Sequence, residues 1–194
     1  MKTLYLMRHS ETIFNEKLLL QGWCDAPLTE KGKKQALVAK EYFESNNIKF
    51  DYIFCSSAPR AIQTLKIITN QDFKTSDNLR EWNFGLFEGE SQKLIPIGYP
   101  YGDFFVPFNG ESQEELQMRI VTEINELTKN LDGNILIVSH TCAGRLFTNY
   151  YKDVACIEIP RRICNCGILK FEYEDNKFKL VDIIQHDFEK ILEN

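Results

Sequence analysis

Two stretches of this chain run apolar without alternation and then stop at a histidine. Residues 3–7, Thr-Leu-Tyr-Leu-Met, lead into Arg8 and His9, and residues 134–138, Asn-Ile-Leu-Ile-Val, lead into Ser139 and His140. A strand with one face in water alternates polar and apolar residues, so an unbroken run marks a strand covered on both faces, as in a parallel sheet between helical layers. Ligands bind outside the carboxyl ends of such strands. Two of the three histidines in the sequence are delivered there.

The intervening sequence supplies the covering helices. After a polar bend at 10–15 and a loop at 21–28 closed by turn residues, Thr29 and Glu30 open a helix whose Ala36, Leu37, Ala39, Tyr42 and Phe43 recur at helical spacing before Asn46 and Asn47 end it. A buried strand at 52–56 turns through Ser57, Ala58, Pro59 and Arg60 into a second helix, with Pro59 suited to its first turn. Arg60 thus stands where a strand end meets a helix N-terminus, favourable ground for an anion. A weak strand pattern falls within 72–79, and 111–130 is an amphipathic helix with Leu116, Ile120, Ile124 and Leu127 on one stripe. Beyond it are expected a helix over about 142–151, strands at 166–173 and 178–184, and a terminal helix over 187–192.

Strands alternating with helices predict an α/β fold, a three-layer αβα sandwich whose mostly parallel central sheet gains an antiparallel edge from the last hairpin. A length of 194 residues suits a single domain over 1–194. From about 89 to 110 the chain is irregular and rich in Gly, Pro and aromatics, which reads as a lid. Its Tyr99, Tyr101, Phe104, Phe105 and Phe108 either pack the lid onto the body or offer a substrate an apolar contact surface.

A net charge of −5 argues against nucleic acid or an anionic membrane as partner, so any anion must be met by a local cluster of cations. No run approaches the roughly twenty apolar residues of a membrane span, and no secretory leader pattern opens the sequence, so a cytoplasmic location is expected. The six cysteines, Cys24, Cys55, Cys142, Cys156, Cys164 and Cys166, lack the spacing of a disulfide scaffold or a zinc site and read as reduced, mostly buried thiols. Cys55 and Arg60 have four residues between them, where a cysteine-dependent phosphatase needs five.

The polar residues at the strand ends are Arg8, His9, Arg60 and His140, with Glu81 on a loop between Arg80 and Trp82. Two permanent cations and two imidazoles, without the carboxylate cluster of a hard metal, make a pocket for a multiply charged anion, and phosphate is the natural candidate. Arginine forks match its oxygens two at a time. His186 has no such company and reads as a surface residue at a strand end. Arg161 and Arg162 read either as an exposed basic pair or as a contact to a second anionic group.

The chain resembles the histidine phosphatase superfamily in its phosphoglycerate-mutase-like branch. The resemblance lies in Arg8-His9-Ser-Glu-Thr-x-x-Asn15, Gln21-Gly22-x-x-Asp25-x-Pro27-Leu28-Thr29-x-x-Gly32 and Ser56-Ser57-x-x-Arg60-Ala61-x-x-Thr64, and continues in Leu79-Arg80-Glu81-x-x-x-Gly85-x-x-Glu88-Gly89 and Ile137-Val138-Ser139-His140. It implies transfer through a phosphohistidine without metal or cofactor: His9 as nucleophile, and Arg8, Arg60 and His140 on the phosphoryl oxygens. Asn15 would donate to the same phosphate, Gln21 and Gly22 would line the substrate side, Thr141 would also bind substrate, and Glu81 would protonate the leaving oxygen and then help water attack the phosphoenzyme. An apolar loop around Trp82 and Phe84 is expected to raise the Glu81 pKa toward neutrality. The family usually has Gly after each histidine, whereas Ser10 and Thr141 stand here. Three functions follow in order: a phosphomonoester hydrolase acting on a phosphorylated small molecule, a phosphoglycerate mutase, and a non-catalytic sensor of phosphorylated ligands. Oligomeric state is left open.

Overall fold

Both histidine-bearing runs are strands, and they lie side by side. The computed structural model describes residues 2–95, 101–158 and 163–188. Among them six strands form one sheet: β1 (Lys2–Arg8), β2 (Tyr52–Ser56), β3 (Lys74–Ser76), β4 (Gly133–Ser139), β5 (Ile168–Glu174) and β6 (Lys177–Ile184), in spatial order β3-β2-β4-β1-β5-β6. β3, β2, β4 and β1 run parallel to one another, while β5, antiparallel to β1, and β6 add the antiparallel edge. In the β1–β4 register Arg8 pairs with Ser139, so the residues that follow, His9 and His140, emerge together.

The missing alternation in β1 and β4 has a direct cause. Leu4, Leu6, Ile135 and Ile137 enter one core, beside Leu116, Ile120, Ile124, Leu146 and Phe147, while Tyr5, Met7, Leu136 and Val138 enter a second, beside Ala36, Ala39, Phe43, Ala61 and Leu65. Each face is therefore covered by a helical layer: α2 (Glu30–Ser45) and α3 (Pro59–Ile68) on one side, α4 (Gln113–Thr128) and α5 (Thr141–Tyr150) on the other. The helix starts are chemically marked. Thr29 Oγ1 accepts the Gly32 N–H at 2.8 Å, and Ser112 exchanges hydrogen bonds with Glu115 in a capping box, each cap worth about 1 kcal/mol.

Several boundaries move. The bend at 10–15 contains a short helix, α1 (Ile13–Glu16), because Thr12 and Asn15 form a capping box. The helix expected over 111–130 begins at Gln113, since Ser112 takes the cap and Glu111 is drawn into a two-pronged pair with Arg119. β5 starts at Ile168 because Cys166 adopts a left-handed conformation (φ 56°) that ends the preceding turn. Asp187 and Phe188 are not helical, and the rest of the expected terminal helix lies outside the described residues, as do Tyr99, Arg161 and Arg162. In the segment expected as a lid, the Phe105 ring is fully buried and packs onto the body, 4.9 Å from the Phe84 ring and 6.0 Å from Trp82. His186 is half-buried against Tyr42 and Phe188 and is no surface residue. Among the described residues no helix is long and apolar enough to cross a membrane.

Candidate active site

At the carboxyl ends of β1 and β4 lies a cavity of about 740 Å³. Arg8, His9, Asn15, Gln21, Glu81 and Thr141 line it. Arg60, His140 and Gly22 do not; they form the layer beneath.

His9 is held at three points. Its N–H donates to the Ser139 carbonyl at 3.0 Å, and its Nδ1 lies 2.8 Å from the Ser10 carbonyl, which can only accept. The proton is therefore on Nδ1, and Nε2 keeps its lone pair. That lone pair accepts from Arg60 Nε at 3.3 Å. Burial, then the nearby Arg60 and Arg8 charges, hold the His9 pKa well below the ordinary histidine value, against the Ser10 bond that favours the charged form. The ring is neutral at neutral pH. Ser10, standing where the resemblance leads one to expect Gly, is accommodated by Thr64: Ser10 N–H and Oγ both lie 3.0 Å from Thr64 Oγ1, which itself donates to the Arg60 carbonyl at 2.8 Å.

Arg60 is completely buried and its guanidinium is fully engaged. Nη1 donates to Asp25 Oδ1 at 2.9 Å and the Cys24 carbonyl at 3.0 Å, and Nη2 to the Gly22 carbonyl at 2.8 Å and the Gln21 carbonyl at 3.3 Å. Nη2 also lies 3.1 Å from His140 Nδ1, whose ring donates from Nε2 to Ser56 Oγ at 2.8 Å. Burial, followed by Arg60 and His9, pushes the His140 pKa well down. Arg8 differs. Its Nη1 donates to the Ile163 carbonyl at 2.9 Å, while its buried Nε has no hydrogen-bond partner among the described residues.

The loop bearing Glu81 is apolar as expected, with Trp82 fully buried and Phe84 nearly so. The carboxyl group nevertheless meets three N–H donors: Oε1 accepts from Trp82 and Ala143 at 3.0 Å each, and Oε2 from Cys142 at 2.9 Å. Two of these belong to the first turn of α5, which has no side-chain cap of its own. Glu81 thus caps that helix across the cavity. Its backbone carbonyl is braced by Trp23 Nε1 and Arg119 Nη2, both at 3.1 Å.

Gly22, expected on the substrate side, lies behind the wall for steric reasons. A Cβ there would stand 2.0 Å from the Trp82 carbonyl oxygen and 2.4 Å from Glu88 Oε1. Glu88, quoted in a motif but assigned no role, accepts four backbone N–H groups, from Gly22, Trp23, Cys24 and Phe84, at 2.7 to 3.1 Å. Asn165, absent from the sequence reading altogether, donates to Asn15 and to the His9 carbonyl. The cysteines are free, and burial raises the thiol of Cys142, which also lines the cavity, well above its ordinary pKa.

A family model described as histidine phosphatase superfamily (branch 1) matches residues 4–185. A relative in Enterobacter sp. (strain 638), named "Probable phosphoglycerate mutase GpmB", is 30% identical over 192 residues, covering 91% of this chain and 87% of that protein. Another in Hydrogenobacter thermophilus, named "Putative phosphoserine phosphatase 2", is 32% identical over 152 residues, 72% of this chain and 73% of the relative. Among solved structures, Bacillus stearothermophilus YhfR superposes with a TM-score of 0.79 at 26% identity, covering 93% of this chain and 95% of that one.

Proposed function

Since the chain belongs to the histidine phosphatase superfamily (branch 1), we propose that it hydrolyses phosphate monoesters of small molecules through a phosphohistidine on His9. The observation that carries this reading is the state of the His9 ring: neutral, locked by the Ser10 carbonyl, with the Nε2 lone pair beside a guanidinium. Nitrogen in that form is a nucleophile without further activation.

The ester phosphate sits against Arg8, the Asn15 amide and Thr141. His9 Nε2 attacks phosphorus, the N–P bond forms as the ester P–O bond breaks, and Glu81 delivers a proton to the departing oxygen. Water then attacks the phosphohistidine, Glu81 takes its proton, and the N–P bond breaks to release inorganic phosphate. Arg60 acts at the moment of transfer. Once the Nε2 lone pair enters the N–P bond, Arg60 Nε–H loses its acceptor and stands ready for a phosphoryl oxygen, a stabilisation confined to the transfer itself. His140, its two nitrogens tied to Arg60 and Ser56, keeps that guanidinium in place.

A second reading, a phosphoglycerate mutase that retains the phosphoenzyme until product returns, is favoured by the name of the Enterobacter relative. A panel that includes 3-phosphoglycerate and phosphoserine separates the two. Hydrolysis predicts release of inorganic phosphate that disappears in His9→Ala; rapid formation of 2-phosphoglycerate without phosphate release establishes the mutase. The Glu81 role is tested by leaving group. In the phosphorylation step, read by rapid-quench as the burst of released alcohol, Glu81→Gln is expected to lose roughly 100-fold on alkyl phosphates but less than about fivefold on p-nitrophenyl phosphate, whose leaving group needs no proton. Equal losses of that burst rate on both would remove Glu81 from protonation of the leaving group.

A further inference from the structure

The turn preceding β5 packs against the end of β1. Arg8 N–H donates to the Gly167 carbonyl at 3.0 Å, Arg8 Nη1 reaches the Ile163 carbonyl, and the turn is closed by Gly167 N–H on the Cys164 carbonyl at 2.9 Å. From this turn Asn165 Nδ2 makes two donations, to the His9 carbonyl at 3.2 Å and to Asn15 Oδ1 at 3.1 Å. Both of its N–H bonds are thereby used. Asn165 lines the cavity but has no donor left for a phosphate.

Asn15 Oδ1 receives a second donor, the Thr12 N–H at 3.3 Å. An amide oxygen facing two N–H groups has one sensible orientation, because the flipped amide would set its own N–H bonds against them. The consequence is that Asn15 Nδ2, not Oδ1, faces the cavity. Flipped, Asn15 would present a lone pair to an anion. Thr12 alone makes a long contact that the capping box shares, so the second donor secures the orientation.

We infer that Asn165 is a positioning residue for phosphoryl transfer, holding the Asn15 amide nitrogen toward the phosphoryl group. The inference rests on the reading of this cavity as a phosphate site.

The test is a double-mutant cycle of wild type, Asn15→Ala, Asn165→Ala and the double variant, with Asn165→Asp as a near-isosteric replacement that removes the donor. Two signals are read: kcat/KM on p-nitrophenyl phosphate, and calorimetric affinity for inorganic phosphate. Asn15→Ala is expected to lose about 10- to 100-fold in kcat/KM, the range for a hydrogen bond to a charged group. Asn165→Ala is expected to lose about 5- to 10-fold with Asn15 present and less than about twofold in its absence. Asn165→Asp adds a charge felt in both backgrounds, so its excess loss when Asn15 is present isolates the same coupling. Equal losses in both backgrounds, whether in turnover or in phosphate affinity, assign Asn165 a merely structural role and overturn the inference while leaving a His9-dependent phosphatase intact. A wild type that neither binds phosphate nor loses turnover in His9→Ala sinks the phosphatase reading, and this inference with it.

Discussion

β1 and β4 end alike and are put to different uses. They are neighbouring parallel strands in register at Arg8 and Ser139, each delivers a buried histidine, and in both rings burial and then Arg60 depress the pKa. His9 has one nitrogen tied to a carbonyl and the other to Arg60 Nε, and it lines the cavity. His140 has both nitrogens committed, to Arg60 and to Ser56, and lies off the cavity wall. The strand end supplies a position; the hydrogen bonds around the two rings match, and the side of the cavity wall on which each ring stands is what separates them.

The sharpest way to break this comparison is to remove each ring in turn. His9→Ala is expected to abolish phosphoenzyme, with turnover down on the order of 10⁴-fold or more, whereas His140→Ala loses about 10²- to 10³-fold and still forms an acid-labile adduct. Labelling with ³²P-phosphoester reads both, and an adduct that survives in His9→Ala but vanishes in His140→Ala would reverse the two roles. Arg60 touches both rings, so Arg60→Ala is expected to lose about 10²- to 10³-fold in kcat and, by stranding buried acceptors, about 3–5 kcal/mol in urea denaturation. Arg60→Lys restores little, because an ammonium cannot reach Asp25, three carbonyls and both imidazoles at once.

Acid should expose what the rings share. Their folded pKa values lie below the unfolded value near 6.5, so below about pH 6.5 the unfolded chain binds protons that the folded one refuses. Stability is therefore expected to be flat above pH 6.5 and to fall below it, by up to about 1.4 kcal/mol per pH unit for each ring. His140→Gln should remove roughly one ring's worth of that slope in thermal melts taken from pH 7.5 to 5.5. The smallest effect belongs to Ser56→Ala, which frees one nitrogen of His140 at a cost of about 1 kcal/mol and a few-fold in turnover. No change in either would mean that the second tie is incidental.

The layered fold was legible because apolar runs report burial, and β1 and β4 are buried on both faces. Arg8, His9, Arg60 and His140 were legible as strand-end residues, and the geometry gathers them. Which of them face the cavity was not legible. Nothing in local spacing tells that the Arg60 guanidinium is saturated by a loop 36 to 39 residues before it, or that Glu81 turns to α5, 61 residues on. Asn165 left no trace because its partner Asn15 is 150 residues distant and neither belongs to a periodic pattern. Glu88 stood in a recognisable motif, yet only the folded loop reveals that its four partners are peptide N–H groups.

That loop has one further property. The N–H groups of Gly22, Trp23 and Cys24 point to the Glu88 carboxylate, while the carbonyls of Gln21, Gly22 and Cys24 point to Arg60. An acid that never reaches the cavity is thus relayed to its floor by a row of aligned peptide dipoles. Residue 88 is in effect a keystone: it ties the loop that grips Arg60 to the segment carrying Phe84, so one carboxylate sets both the field at the base of the cavity and the shape of the wall at Gln21 and Phe84.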